Sequence, residues 1–322
     1  MSDASVMKLV QFGWESTWAT EVATTVKLLG VTDITLKPDN EVKLFPDLRG
    51  SMAPAYKNAL VKKAAAGSIK GVAYHEMINY ILENMLGAAS PSGTGPYVRA
   101  YTAPLTTVPT RKPWTALLGT SGGAIYNAAG LLFTKLTLTQ EPWSEAQFSA
   151  DFVAQVHNTD TIDSLSDTTP TVITSDQWLV YLDAVGGTVG TTAITTTSIG
   201  FELTIEAPIK LIPHVGSLTA ASYAQDRWSG SLKTDLELNS TAKTQLDAIV
   251  TGTSAVEKQL RLKATSGTVI SQFDFAGPVD HKPDLVGDKD AYQTVSLNWM
   301  PTYNTALSNW LKISTTNGVS SI

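Results

Sequence analysis

The chain contains no cysteine in its 322 residues, which excludes disulfides, thiolate metal sites and a cysteine nucleophile. Charge is scarce as well: Asp, Glu, Lys and Arg make up 16% of residues, against about 25% in an average globular protein. No run approaches the ~18 consecutive apolar residues of a membrane helix, so no membrane partner is expected. The first residues, Met1 to Trp14, lack a basic segment followed by an apolar core. No secretory signal is read there, and a soluble protein made in a cytoplasm is expected. A basic patch is missing too. Net charge is −6, with 13 basic and 13 acidic side chains in residues 1–160 and 10 against 16 in residues 161–322. Stable nucleic-acid binding is therefore not expected.

What the chain does have is apolar content of 43%, enough for extensive cores, and a length that suits two domains of about 150 residues. Its uncharged surface must be made of Thr, Ser, Asn and Gln, a composition that accompanies β-structure. Low charge also suits a protein that buries surface against copies of itself. A repeat is visible. Gly67-Ser68-Ile69-Lys70 lies on a strand-like run that leads into a helix ending at Gly87, and Gly230-Ser231-Leu232-Lys233 lies on another that leads into a helix ending at Gly252. Such duplication governs the reading of the whole chain.

Residues 1–30 form an aromatic-bearing lead-in, or N-terminal arm. A strand at Val31–Lys37 precedes a long excursion from Pro38 to about Lys62, with apolar Phe45, Leu48, Met52 and Tyr56. Excursions of that length are usually functional. A strand follows at Ala64–Tyr74, then a helix at His75–Leu86 with Met77, Ile78, Ile81, Leu82 and Met85 on one stripe. Further strands are predicted at Tyr97–Ala103, Trp114–Leu118, Leu131–Thr139 and Glu145–Val156. Residues 157–176 are polar and read as a connection, with domains at 1–160 and 177–322 and the linker proper at 161–176. The order then recurs. Strands at Gln177–Ala184 and Ser198–Glu206 precede an excursion from Ala207 to about Arg227 carrying Leu211, Ile212, His214, Leu218 and Tyr223. Next come a strand at Trp228–Leu238 and a helix at Ser240–Thr251, capped by Asn239 or Ser240, with Ala242, Leu246, Ile249 and Val250 buried. Strands at Lys258–Thr265, Val269–Ala276, Gln293–Met300 and Trp310–Thr315 complete the half. A frayed tail from Gly318 is expected. Each half reads as a mainly β (α+β) unit with one flanking helix.

Catalytic motifs do not survive inspection. Gly119-Thr120-Ser121-Gly122-Gly123 matches a nucleophile elbow, but no helix follows it, and a glycine-rich hairpin turn is the better reading. A hydrolase using Ser121 is thus a minor alternative. His75-Glu76-Met77-Ile78-Asn79 has asparagine where a zinc helix needs its second histidine. The acids Asp284, Asp288 and Asp290 near His281 lack calcium-loop spacing. No catalytic, cofactor or metal residue is assigned. Candidate interface anchors are Trp14 and Trp18 in the lead-in and the apolar residues of the two excursions. Glu202, Glu206, Asp235 and Glu237 alternate with apolar neighbours and are candidates for a polar sheet face.

The segment Gly13-Trp14-Glu15-Ser16-Thr17-Trp18-Ala19-Thr20 resembles the Gly-x-Glu-x-x-x-Gly-Thr opening of tail tube proteins of long-tailed, siphovirus-like bacteriophages, with Ala19 where glycine is usual. Gly130–Val156, with Leu131 to Leu138 followed by Phe148-Ser149-Ala150-Asp151-Phe152, is similar to the paired strands near the end of such domains. The resemblance implies two tandem β-sandwich or barrel-forming domains, each with a flanking helix, whose inner sheets join around a lumen. It implies a non-enzymatic virion protein that forms rings, with three double-domain copies giving a pseudo-sixfold homotrimer, and stacks them into a tube for genome ejection. Implied partners are its own copies, a tape-measure protein, and terminator and tip proteins. Double-stranded DNA would pass without specific binding. On this reading Pro38–Lys62 and Ala207–Arg227 are inter-ring contact loops, and Glu202, Glu206, Asp235 and Glu237 face the lumen. Alternatives are the inner tube of a contractile injection apparatus and a β-sandwich carbohydrate-binding or adhesion module, which needs clustered aromatics that the chain lacks.

Overall fold

Alternating apolar and polar residues, rich in Thr and β-branched side chains, favour a pleated backbone, and strands dominate the structure. The computed structural model describes residues 8–45, 54–120, 123–194, 196–252, 254–280, 287–289 and 292–320. The first half builds β1 (Lys8–Trp14), β2 (Val26–Leu28), β3 (Val31–Pro38), β4 (Glu41–Phe45), β5 (Lys57–Lys62), β6 (Ala65–Val72), α1 (Met77–Leu86), β7 (Tyr97–Thr102), β8 (Trp114–Thr120), β9 (Ile125–Gln140), β10 (Gln147–Ala154) and β11 (Val156–Asp160). The second half builds β12 (Trp178–Ala184), β13 (Ser198–Glu206), β14 (Ile209–Ile212), β15 (Ser222–Gln225), β16 (Ser229–Glu237), α2 (Ser240–Thr251), β17 (Glu257–Ser266), β18 (Val269–Pro278), β19 (Gly287–Lys289), β20 (Tyr292–Trp299) and β21 (Leu311–Asn317). The fold is mainly β and sandwich-rich, as its composition predicts, and no sheet closes into a barrel among the described residues.

One long sheet runs β19-β20-β16-β13-β9-β10-β6-β3 and crosses both halves at the β9–β13 pairing, where Leu203 lies opposite Leu138. β9, 16 residues long, serves two layers. Its first part pairs with β8 and β11, and its last part with β10 and β13. The second layer is β2-β1-β8-β9-β11 in the first half and β12-β17-β18-β21-β7 in the second. One hydrophobic cluster runs through both halves, from Phe12, Ile69, Trp114 and Phe133 to Leu232, Phe273 and Trp299. Phe12 stacks on Trp114 with ring centroids 3.8 Å apart. Buried rings of this size dominate core energetics.

The repeat in the sequence is a repeat in space. Leu36, Thr35 and Ile34 of β3 face Gly67, Ser68 and Ile69 of β6. Ile205, Thr204 and Leu203 of β13 face Gly230, Ser231 and Leu232 of β16 in the same register. Both glycines sit where the facing strand comes too near for a side chain. A Cβ would lie 2.0 Å from the Thr35 carbonyl oxygen at Gly67 and 2.7 Å from that of Thr204 at Gly230. Between the paired strands of each half the chain makes a hairpin, β4–β5 or β14–β15. β10 then adds to β6 as β20 adds to β16.

Some elements differ from the sequence expectation. The lead-in is largely built into the fold, because Lys8–Trp14 is β1 and pairs with both β2 and β8. Every residue of α1 is buried, not only its apolar stripe. Glu83 lies 3.5 Å from Arg99 and 3.0 Å from Lys112, and the Asn84 side chain donates to the Leu131 carbonyl and accepts from Phe133 N–H. Gly87 ends α1 with φ +87° and ψ 172°, a positive φ outside the left-handed helical region. In α2, Asn239 caps by accepting from Thr241 and Ala242 N–H, and Ala242, Leu246 and Ile249 are buried, while Val250 is exposed. Residues after β11 lie along the first half, where Thr171 accepts from His75 N–H and Ile173 from Ala146 N–H. The tail is tied down at Val319, whose carbonyl accepts from Arg99.

Candidate functional site

The long sheet has one face against the core and one polar face. Cross-strand register places Asp33 and Thr35 (β3), Ser68 and Lys70 (β6), Ser149 and Asp151 (β10), Lys135 and Thr137 (β9), Glu202, Thr204 and Glu206 (β13), Lys233, Asp235 and Glu237 (β16) and Asn298 (β20) on that second face. The four acids selected from sequence are therefore together on one surface. Hydroxyls and lysines accompany them. Lys135 lies 3.7 Å from Glu206 and Lys233 3.2 Å from Asp235. Ser229 donates to Glu206 at 2.9 Å, Ser296 donates to Asp235, and Thr137 meets Thr204 at 3.2 Å. Asp33 takes Lys8 as partner, and that hydrogen bond and charge hold its carboxyl below the usual range. Carboxylates outnumber lysines on this face, and most charges have an opposite charge beside them. The surface is hydrophilic but offers no excess positive potential to a polyanion.

The sheet's edges and ends differ in chemistry. β3 is the terminal strand and pairs only with β6 among the described residues, so its outer N–H and C=O groups form a template for another strand. Both hairpins leave the sheet at one end. The β9–β10 turn lies at the other end, and there Trp143 is 99% exposed. Sequence reasoning missed Trp143. Its only signal is Pro142-Trp143 between two strands, because a tryptophan in a tight turn has no strand neighbour to pack on.

The lead-in aromatics pack within the chain. Trp14 is edge-on to Trp114, with centroids 5.6 Å apart. Trp18 donates to the Gly130 carbonyl at 3.1 Å and meets Tyr223 at 5.4 Å. Glu15 locks this corner by accepting from Gly130 N–H, Thr115 Oγ1 and Ala19 N–H. Burial raises its carboxyl above the ordinary value, and those bonds act against the rise.

The excursions are the two hairpins. In the second, Leu211 faces Tyr223 and both are half-buried, while Ile212, His214 and Leu218 are exposed. Its base is held by Arg111, a buried guanidinium that donates to Gln225 Oε1 and to the carbonyls of Phe133 and Ala207. Burial pushes the Arg111 pKa down to about 10, so it stays charged at neutral pH. In the first hairpin Val42, Leu44, Phe45, Tyr56 and Leu60 are exposed. Leu48, Met52, Ser121, His281, Asp284 and Asp290 lie outside the described residues. Gly119 faces Ile125 across the β8–β9 hairpin, so the glycine-rich segment joins two strands and no helix follows it. Among the described residues no group of His, Asp and Glu is arranged to hold a metal. His75 is buried, with Nδ1 2.8 Å from Ser271 Oγ and Nε2 3.1 Å from Gln177 Oε1.

A family profile described as "Phage tail tube protein" matches residues 7–301. No curated protein matches the chain.

Proposed function

The chain belongs to the phage tail tube protein family, and on that premise we propose that it assembles with its own copies into rings that stack as the tail tube through which DNA leaves the particle. Its role is structural and its place is the virion tail. The observation that carries the assembly reading is the long sheet. It already runs from one repeat into the next through β9–β13, and it ends on β3, whose outer edge has no partner strand among the described residues. Adding the next copy at that edge repeats between chains a contact already made within one, and a curved series of such contacts closes into a ring. Two tandem domains, at 1–160 and 177–322, make three copies sufficient for a pseudo-sixfold ring.

The polar face with Glu202, Glu206, Asp235 and Glu237 is then the lumen wall, which lets double-stranded DNA slide because it offers no net positive charge. The ends of the sheet differ, hairpins at one and Trp143 at the other, so rings stack head to tail, a contact that elongates without closing. Phe45, Leu48, Met52, Tyr56, Ile212, His214 and Leu218 supply inter-ring contacts on this reading. A tape-measure protein inside the growing tube and terminator and tip proteins at its ends are the further partners, and no step requires catalysis.

Negative-stain electron microscopy of the concentrated protein, with sedimentation across a dilution series, tests the proposal. Stacked rings with a central channel are expected, and a chain that stays single at every concentration, alone or with a tape-measure protein, overturns it. Replacing Glu202, Glu206 and Glu237 with Lys is expected to make the assembled tube retain DNA in a filter-binding assay at low salt. Retention lost at high salt would mark it as electrostatic.

A further inference from the structure

The seam between the two halves has an unfilled counterpart elsewhere on the molecule. Inside the chain, the second hairpin passes over β9 and the end of β10 to reach the start of β6. Leu218 accepts from Lys63 N–H at 2.8 Å, and Ala220 accepts from Gln155 Nε2 at 2.6 Å. Counted back from the two Gly-Ser-x-Lys segments, Leu218, Ala220 and Tyr223 correspond to Ala55, Lys57 and Leu60 of the first hairpin. The strand register agrees, because Leu211 faces Tyr223 as Val42 faces Leu60.

The receiving side has its counterpart too. By the same count Lys63, which precedes β6, corresponds to Asp226, which precedes β16. Gln155 follows β10 as the 301–304 stretch follows β20. In the first half this corner is covered by the second hairpin. In the second half, Asp226, Trp228, Pro301 and Tyr303 line an open cleft of about 520 Å³, with Leu105 and Val108 from the β7–β8 connection as its other wall. Leu105, Val108 and Tyr303 are each more than half exposed. An apolar hairpin without a seat and a seat without a hairpin therefore stand at corresponding positions on one chain. They cannot meet within it, since the first hairpin leaves the sheet beside the β3 edge, at the far end of the sheet from β20.

We infer that a second copy of this chain seats its β4–β5 hairpin in the cleft between Asp226–Trp228, Pro301–Tyr303 and the Leu105–Val108 segment, reproducing between chains the contact that β14–β15 makes within one. This rests on the proposed assembly and specifies one of its contacts. Apolar hairpin residues at Val42 and Leu60 gain cover, and the open β3 edge is brought alongside the neighbouring sheet.

Because the chain has no cysteine, single cysteines report the contact cleanly. Lys57→Cys and Tyr303→Cys proteins are mixed, assembled and treated with a short bismaleimide. A covalent product of twice the chain mass that needs both proteins is expected, and it should disappear when the Lys57→Cys chain also carries Val42→Asp and Leu60→Asp. Pairing Lys57→Cys with Trp143→Cys, at the opposite end of the sheet, controls for random collision. Absence of the specific product in preparations that show stacked rings overturns the docking and leaves the tube reading intact. Absence of both product and rings at all concentrations overturns both. A product of undiminished yield from the Asp-bearing chain also overturns the docking.

Discussion

In the second hairpin Tyr223 lies against Trp18 and the strand ends are anchored by Arg111, whereas in the first Val42 and Leu60, at the matching cross-strand position, stand in solvent. The two segments have the same place in the repeat, similar apolar content and the same strand pairing. Their burial differs because one has a preceding repeat in its own chain to lie on and the other does not. On the docking proposed above, exposure of the first hairpin reflects a missing neighbour and not a different design. Large exposed apolar patches on soluble proteins commonly mark interaction sites.

The largest effect expected from perturbing this contrast is at the base of the seated hairpin. Arg111→Ala leaves the carbonyls of Phe133 and Ala207 buried without a donor. It should lower stability by about 3 kcal/mol, read as a fall in urea midpoint at unchanged slope. An unchanged midpoint would mean that the second hairpin is not held by its base. A smaller effect separates the two hairpin faces. Tyr223→Ala removes the ring seated on Trp18 and should cost about 1–2 kcal/mol. Leu60→Ala at the matching position should change single-chain stability by less than about 0.5 kcal/mol. Equal losses at the two positions would erase the distinction.

The smallest effect concerns the seam away from either hairpin. His75 joins the first half to Ser271 and Gln177 of the second, and burial holds its imidazole below the ordinary value of 6.5, against the opposing influence of Gln177 and Glu76. As pH falls below 6.5 the unfolded chain takes up this proton first. Stability is therefore complete above that value and declines as pH drops through the depressed folded pKa, by at most about 1.4 kcal/mol per pH unit. Thermal melts between pH 7 and 5 should show this slope, and His75→Gln should flatten it. An identical slope in the variant would place the acid sensitivity elsewhere.

Much of the architecture was legible because it is written locally. Period-two alternation marks β10 and β13, Asn239 marks the start of α2, and the paired Gly-Ser-x-Lys segments mark the repeat, since a glycine is needed where two strands approach closely. β1 was hidden for a physical reason. Its burial is continuous from Leu9 to Gly13, so it carries no alternation and reads as part of an aromatic lead-in. The complete burial of α1 was also invisible, since it depends on Arg99 and Lys112 arriving from distant segments to meet Glu83. Among the surface candidates, the acids of one strand face are legible by parity alone. The fates of Trp18 and Trp143 depend on which neighbour packs beside each, and sequence spacing does not encode that.

β7 belongs to the first half by sequence, yet it pairs with β21 and completes the second half's outer sheet, with Arg99 opposite Thr315 and Tyr101 opposite Ile313. Cutting the polypeptide between its repeats would strip one fragment of a border strand and leave the other carrying it unmatched. The two halves accordingly fold as one unit, because a single strand of the first completes a sheet of the second.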